Sequence, residues 1–347
     1  ALFVFSSLLI VACPCALALS APFTFGNILR VFSSNKFFVK DAEAISTLSE
    51  IEHVVLDKTG TITEQKAMSV AFVGDKLSVE TARAVRSLAS QSTHPLSTVV
   101  SQYLSEYQPL PIVDFEERAG KGTQGIVGGK HIKIGASHWV QADKIKDTAV
   151  YISVDGEVIG HFKVTASYRS GLKNVLARLD KLVKLSVLSG DNEGERETLK
   201  EIFPAFHQLK FNLKPQQKST EISHIQHSEK VLMIGDGLND SSAIEKGDLG
   251  VAITENLNGF YPGSDAVLLS ESFDKLPAFV ELARYSKKIL KWSLVFSLCY
   301  NIAGVTFAVA GLLTPIIAAI LMPLSSVSVV LLDTLLVRIK SRKLKLI

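Results

Sequence analysis

The sequence predicts a few membrane-spanning α-helices joined to a water-soluble body, a parallel α/β sheet interrupted by an inserted α+β domain. Three observations carry that prediction. Two stretches, 1–29 and 292–332, contain no charged residue. Between them, short apolar runs rich in β-branched residues end on aspartates and alternate with helix-like segments. After the first such run the pattern changes to short strands set among many glycines. With 347 residues, 47% of them hydrophobic, and a mean hydropathy of +0.26, the chain is too apolar for an ordinary soluble protein and too charged for a purely membrane one. Its length allows two or three domains.

The first segment, 1–32, is long enough for one spanning helix of about 20 residues. It lacks the Met, the basic n-region and the short apolar run of a signal peptide. It contains "VACPCALALSAP", Val11 to Pro22. Pro14 removes a backbone N–H and should kink or unwind the helix. Opened backbone in a membrane is tolerated only where it lines a cavity or is packed in protein. Cys13 and Cys15 would then face that cavity, and soft thiolates select Cu(I) and similar ions over Mg²⁺ or Ca²⁺. Two small thiols packed against neighbours are the plainer alternative. Three cysteines are too few for a disulfide framework.

Segment 33–66 links to the α/β body and begins it: "EHVVL", Glu52 to Leu56, runs into Asp57 of "DKTGT". Segment 67–164 is the α+β insertion, with helix-like stretches Val79–Ser90 and Leu96–Tyr107 and strands such as "IKIGA" and "AVYISV". The sheet resumes over 165–282. "KLSVLSGD" runs into Asp191, "KVLMIGDGLND" into Asp236 and Asp240, and "DLGVAI" and "AVLL" follow, with helix-like Ser170–Lys184 and Glu193–Ile202 among them. Strands alternating with helices argue for a parallel sheet, whose site lies at the carboxyl ends of the strands. Segment 283–347 holds two further spans, divided by the turn "GLLTP" at Gly311–Pro315, and a basic tail.

Basic residues flank every span on one side: Arg30, Lys36 and Lys40; Arg284, Lys287, Lys288 and Lys291; Arg338, Lys340, Arg342, Lys343 and Lys345. The positive-inside tendency puts those flanks, and the body between them, in the cytoplasm. A net charge of +3 gives no support for a nucleic-acid partner.

Asp57, Asp191, Asp236 and Lys218 suggest one chemistry. A carboxylate nucleophile can attack a γ-phosphate and become an acyl phosphate. Mg²⁺ held by Asp57 and Asp236 would neutralise part of the negative charge. Lys218, in "PQQK", would supply a cation to the transferring phosphoryl group. Ser189, Gly190 and Thr59 would donate hydrogen bonds to its oxygens.

"DKTGTIT", "PQQK" and "GDGLND" resemble the signatures of P-type ATPases, and "CPC" resembles their heavy-metal branch; the resemblance runs from the "CPC" span to the last two spans. It implies a haloacid-dehalogenase-like, Rossmann-like phosphorylation domain with an inserted nucleotide-binding domain. Asp57 becomes the phosphorylated residue, with Lys58, Thr59, Lys218, Ser189, Gly190, Asp191, Asn239 and Asp240 around it. Asp57, Thr59 and Asp236 become the Mg²⁺ site. ATP is expected against His94 and Pro95 of "STHPLS", Gly120 and Gly122 of "ERAGKG", and Glu117. The pattern departs at Ala89 and Ala166, where acidic residues are common, and at Gly135–Ala136, where Gly-Asn is common; Arg169 is kept.

For the ion path the resemblance adds Tyr300, Asn301, Met322, Ser325 and Ser326, polar or soft groups in a span and functional candidates on that ground alone. Pro22 sits as expected, whereas Ser293, Thr306 and Leu332 depart. Cys299 reads as a packing residue. Cu(I) is favoured over a zinc- or cadmium-type pump because the last spans lack that group's Lys and Asp-Gly pattern, Asp333 being the acid available. "STHPLS" and "VLSGDNE" resemble the branch that supplies cytochrome oxidase assembly. The implied setting is a multi-pass protein of the plasma or inner membrane, surrounded by lipid and served by a copper chaperone. No actuator "TGE" loop or early spans occur here, so the chain reads as the C-terminal half of a pump and expects the remaining part as partner. Two alternatives stay open: a metal- and nucleotide-binding protein that does not transport, and a membrane-anchored phosphatase of the same superfamily. The second usually carries a general-acid Asp where Thr59 stands.

Overall fold

The computed structural model describes residues 2–11, 15–75, 77–145, 147–237, 240–256 and 263–347. The first apolar segment forms two helices, α1 (Leu2–Val11) and α2 (Cys15–Ser34). Cys13 and Pro14 lie between them, outside the described residues. The chain then forms β1 (Phe37–Val39), α3 (Ala42–Leu48) and β2 (His53–Asp57). Asp41 starts α3 by accepting the Ala44 N–H at 2.9 Å, as an N-cap carboxylate does. Every residue of β2 is buried, which explains why it reads as an unbroken apolar run rather than an alternating one.

A tight turn over Lys58–Ile62 follows, with Gly60 at φ 75°, a left-handed conformation that suits glycine. It leads into the inserted unit: β3 (Thr63–Gly74), α4 (Val79–Ala89), α5 (Pro95–Tyr103), β4 (Ile112–Arg118), β5 (Gly122–Val127), β6 (Lys130–Gly135), α6 (Ser137–Val140), β7 (Ala149–Val154) and β8 (Glu157–Tyr168). Its six strands form an antiparallel sheet in the order β3-β8-β7-β6-β5-β4. The apolar side of α4 (Ala82, Val85, Leu88) packs with Val100 of α5 against Ile132, Ile152 and Phe162 of the sheet. The long pair β3 and β8 carries the chain out of the first unit and back into it.

The first unit resumes with α7 (Leu172–Leu179), β9 (Lys184–Leu188), α8 (Arg196–Ile202), β10 (Gln208–Lys210), α9 (Pro215–Gln226), β11 (Val231–Gly235), α10 (Ser241–Lys246), β12 (Leu249–Thr254) and β13 (Ala266–Leu269). Its seven strands run β1-β13-β12-β11-β2-β9-β10, parallel throughout except β1. From β2 the chain builds outward through β9 and β10. It then returns to the other side of β2 to lay down β11, β12 and β13. The reversal falls at β2 and β11, where doubly wound sheets place their sites.

Last come α11 (Leu276–Val309) and α12 (Pro315–Lys343). Among the described residues, the helical stretch Ser270–Val309 and α12 are the two long and apolar enough to cross a membrane. The start of α11 is packed into the α/β body, with Phe279 meeting Phe32 and Phe37 at ring distances of 5.0 and 4.9 Å. Its later turns expose Leu298, Ile302 and Phe307, and α12 exposes Ile316, Ile320, Leu324 and Leu331, a contiguous apolar outer surface. Inside the bundle, a Cβ on Gly304 would lie 2.5 Å from a Val11 methyl, so only glycine permits that approach of α1 and α11.

Candidate functional site

Strand register assembles the site. Asp57 pairs with Leu188 across β2 and β9, and Leu56 pairs with Ile234 across β2 and β11. Three parallel strands therefore end level with one another. The residues just beyond them, Ser189–Asp191, Lys58–Thr59 and Asp236–Gly237, share one rim of the sheet.

Asp57 is 4% exposed and Lys218 is 6% exposed. The Lys218 ammonium, carried by α9, donates to one oxygen of Asp57 and one of Asp240, each at 2.6 Å. Asp240 begins α10 but makes no side-chain cap there; its carboxylate is turned to the lysine instead. Gly235 makes room for it, because a Cβ on Gly235 would lie 2.9 Å from Asp240 Cβ. Burial and the charge of Asp240 push the Asp57 carboxyl up to about 7, Lys218 pulls it down, and Asp236 adds to the rise. Burial works against the charge on Lys218, yet Asp57 and Asp240 outweigh it and raise its pKa.

A second ion cluster holds the turn after Asp57. Lys58 is 5% exposed and donates to Glu195 at 2.6 Å while pairing with Asp191 at 2.8 Å. Thr59 donates its hydroxyl to the same Asp191 oxygen at 2.7 Å. Burial raises Asp191, but the hydrogen bonds from Lys58 and Thr59 prevail and leave it below the usual carboxylate range. Ser189 accepts the Asp191 N–H at 3.1 Å, and Gly190 is exposed beside it. Arg169 clamps the turn from the far side, donating to the carbonyls of Thr61 at 2.6 Å and Gly60 at 2.8 Å. The sequence-predicted set is thus gathered at one rim, except Asn239, which lies outside the described residues. Glu195 escaped sequence reading: it falls in the helix-like segment Glu193–Ile202 and in no motif, and only folding sets it on Lys58.

Asp57 and Asp240 bind Lys218, with Asp236 close enough to Asp57 to act on its charge, and Asp191 and Glu195 gather about Lys58. Carboxylates outnumber ammonium groups in both clusters, a deficit that a cation corrects. Asp57 and Asp236, with Thr59 beside them, suit Mg²⁺, which takes one or two carboxylates and keeps several waters.

The inserted unit brings its own predicted residues together. Ser92 donates to Glu117 at 2.6 Å and accepts the His94 N–H at 3.1 Å, so one buried serine, not read from the sequence, ties the two. His94 caps α5 through its ring nitrogen, which accepts the Leu96 N–H at 3.3 Å, and Pro95 occupies the first helical position, where its missing N–H costs nothing. Gly120 turns the chain at φ 73°. Gly122 lies opposite Gly135, and a Cβ on either would meet the facing backbone at under 3 Å, at 2.1 Å for Gly122. Nearby, Arg118, Lys121 and Lys133 all stand over the Trp139 ring, 5.1, 5.8 and 5.2 Å from its centroid.

In the bundle, Tyr300 donates to the Leu321 carbonyl at 2.9 Å, next to Met322, whose own carbonyl accepts from Ser326 at 3.4 Å. Ser325 is buried on the same helix, and Asn301 is partly buried on α11. Asp333 is fully buried and accepts a hydrogen bond from Ser293. Ser293, where the resemblance expects another residue, therefore pairs with the acid of the last span. The bundle thus brings Tyr300 to the Met322 turn, while Cys13 falls outside the described residues.

The family model for haloacid dehalogenase-like hydrolases matches residues 51–248. Curated relatives include a copper-exporting P-type ATPase of Staphylococcus haemolyticus, 29% identical over 344 residues, 93% of this chain and 43% of its own length. A probable copper-transporting ATPase of Synechococcus elongatus is 28% identical over 93% of this chain and 47% of its own length. The chain thus spans less than half the length of these relatives. Among solved structures, a zinc-transporting PIB-type ATPase in its E2.Pi state superposes with a TM-score of 0.81 at 21% identity, over 94% of this chain and 56% of that one. The catalytic CPx-ATPase domain CopB-B gives a TM-score of 0.58 at 27% identity, over 74% of this chain and 98% of that one.

Proposed function

The chain belongs to the haloacid dehalogenase-like hydrolase family, and we propose that it is the catalytic and ion-conducting part of a heavy-metal P-type ATPase that exports Cu(I) from the cytoplasm at the expense of ATP. The observation that carries this reading is Asp57, buried at the end of β2 with Lys218 bridging it to Asp240. A free Asp57 oxygen attacks the γ-phosphorus of ATP; the bond from that phosphorus to the bridging oxygen breaks, and ADP leaves with the electron pair. Lys218 faces the charge that gathers on the transferring group. Mg²⁺ at Asp57, Asp236 and Thr59 would screen the phosphate oxygens from the attacking carboxylate. Arg169, Lys58 and Asp191 hold the Lys58–Ile62 turn so that Asp57 keeps its aim.

Thr59 separates this reading from a phosphatase. A hydrolase of the family needs a proton donor and acceptor two residues after its nucleophile, and the Thr59 hydroxyl, already committed to Asp191, supplies neither. The acyl phosphate therefore persists. The basic, aromatic surface around Trp139, next to Gly120 and Gly122, supports ATP on the inserted unit. Cys13 and Cys15, with Tyr300, Asn301, Met322, Ser325 and Ser326, are the proposed path for the soft ion, and the copper relatives favour that substrate. A divalent ion is the second reading, favoured by the buried oxygen donor Asp333.

One experiment tests both levels, on the protein at its natural length in membranes. ATP labelled at the γ-phosphate should label the wild type when Cu(I) is present and leave Asp57→Asn unlabelled. Label retained in Asp57→Asn would refute the assignment of the nucleophile. Labelling driven by Zn(II) and not by Cu(I), or Cu(I) activation that survives Cys13→Ser with Cys15→Ser, would overturn the copper path alone.

A further inference from the structure

At the cytoplasmic ends of α2 and α12 lies a cavity of about 440 Å³, lined by Asn27, Arg30 and Val31 of α2 and by Thr334, Val337 and Arg338 of α12. Asn27 donates to the Thr334 hydroxyl at 3.1 Å, which fixes the register of the two helices. Arg30 is three residues past Asn27, and Arg338 is four past Thr334. Residues so spaced share a helix face, so both arginines stand one turn above that hydrogen bond, on the same side of the seam. Ser34 and Ile347 complete the lining, and among the described residues no Asp or Glu side chain belongs to it. Arg30 and Arg338 are both exposed, and the nearest acid along α12, Asp333, is fully buried and engaged with Ser293.

Depth identifies the occupant. Arg30 and Arg338 are the first basic residues met on leaving the apolar parts of α2 and α12, as Lys291, beside the exposed Trp292, is on α11. That boundary is where lipid headgroups sit. We propose that this cavity binds the headgroup of an anionic phospholipid of the cytoplasmic leaflet. The arginines take the phosphate in their planar forks, the Thr334 hydroxyl, which accepts from Asn27, keeps its own proton for an ester oxygen, and Val31 and Val337 line the way for the upper acyl carbons. The volume falls within the range of about 300–1,000 Å³ typical of small-molecule sites. Two cations at one depth on adjacent helices form the kind of basic pocket that selects charged over neutral headgroups.

The site rests on reading α2, α11 and α12 as membrane helices, and the test separates the two. The full chain is reconstituted into vesicles of phosphatidylcholine mixed with phosphatidylglycerol, floated on a density gradient, extracted, and weighed with its retained lipid by native mass spectrometry. A chain that does not float refutes the membrane reading. A chain that floats should keep phosphatidylglycerol in preference to phosphatidylcholine. Arg30→Ala with Arg338→Ala should weaken that retention about 30-fold, the product of roughly fivefold for each basic side chain at the surface. Arg342→Ala with Lys343→Ala, equal in charge but outside the cavity, should leave it unchanged. Equal losses in both pairs would mean diffuse surface attraction and overturn the site, as would retention unaltered by the first pair, or lipid displaced by excess inorganic phosphate. If the first pair fails to fold, Arg30→Gln with Arg338→Gln keeps the side-chain stems and repeats the measurement.

Discussion

Lys218→Met removes the one cation bridging Asp57 and Asp240 while keeping most of the side-chain volume. In the native arrangement the ammonium lies 2.6 Å from an oxygen of each carboxylate. Taking the charge centres as about 4 Å apart and an effective dielectric constant of about 20, its attraction to one carboxylate is about 4 kcal/mol. At about 1.4 kcal/mol per unit, losing it raises the Asp57 carboxyl by about three units. Since Asp57 already stands at about 7 with the lysine present, the ionised fraction at neutral pH drops about a thousandfold. A bound divalent cation recovers part of this, so formation of the phosphorylated protein should slow by about 100- to 1,000-fold. The loss should shrink about tenfold for each unit the pH is raised, because a more alkaline solution restores the nucleophile. Quenched-flow labelling with γ-labelled ATP over a pH series reads both effects. A Lys218→Met protein labelled at the wild-type rate, or slowed equally at every pH, would refute the reasoning.

Two further outcomes are expected. Gly235→Ala sets a methyl 2.9 Å from Asp240 Cβ; such overpacking costs about 1–3 kcal/mol, so the melting temperature should fall and labelling should weaken as Asp240 is pushed off Lys218, whereas an unchanged melt would show the backbone absorbing the methyl. His53 is buried between Glu229 at 2.8 Å and Ser186 at 2.7 Å, and burial takes its pKa below 6.5 although Glu229 pulls the other way. The unfolded chain therefore takes up that proton first as the pH falls, and stability is lost from about 6.5 down to the folded value. His53→Gln should be less sensitive to acid than the wild type in that window, as the difference between the two melting series.

Much of the α/β body was legible because its strands are buried on both faces. "KVLMIG" can hardly be anything but a core strand, and all of Val231–Gly235 is buried. The rim was legible for a related reason: an acid ending an apolar run has nowhere to go but the sheet's edge. Illegible were features that depend on partners far along the chain. Ser170–Lys184 looked helical throughout, but its last residue starts β9, because β2 offers it a parallel edge. The helix begun at Pro95 stops at Tyr103, short of the expected Tyr107. Lys58 fits the motif as a catalytic lysine, and only the fold turns it to Asp191 and Glu195.

The paired strands β3 and β8, each of 12 residues, have a mechanical consequence. Paired from Thr63 and Tyr168 to Gly74 and Gly160, they form a ribbon about 30 Å long. Such a strip resists shear in its own plane, since every hydrogen bond along it would have to slip, but it bends readily across its face. The register shift between Thr63 and Met68 sets its soft point near the foot, close to Asp57. A bend of about 10° there would carry the far end of the ribbon through about 5 Å at strand dimensions. The inserted unit thus meets the rim through one narrow ribbon, whose easiest deformation is a bend across its face at that irregular step.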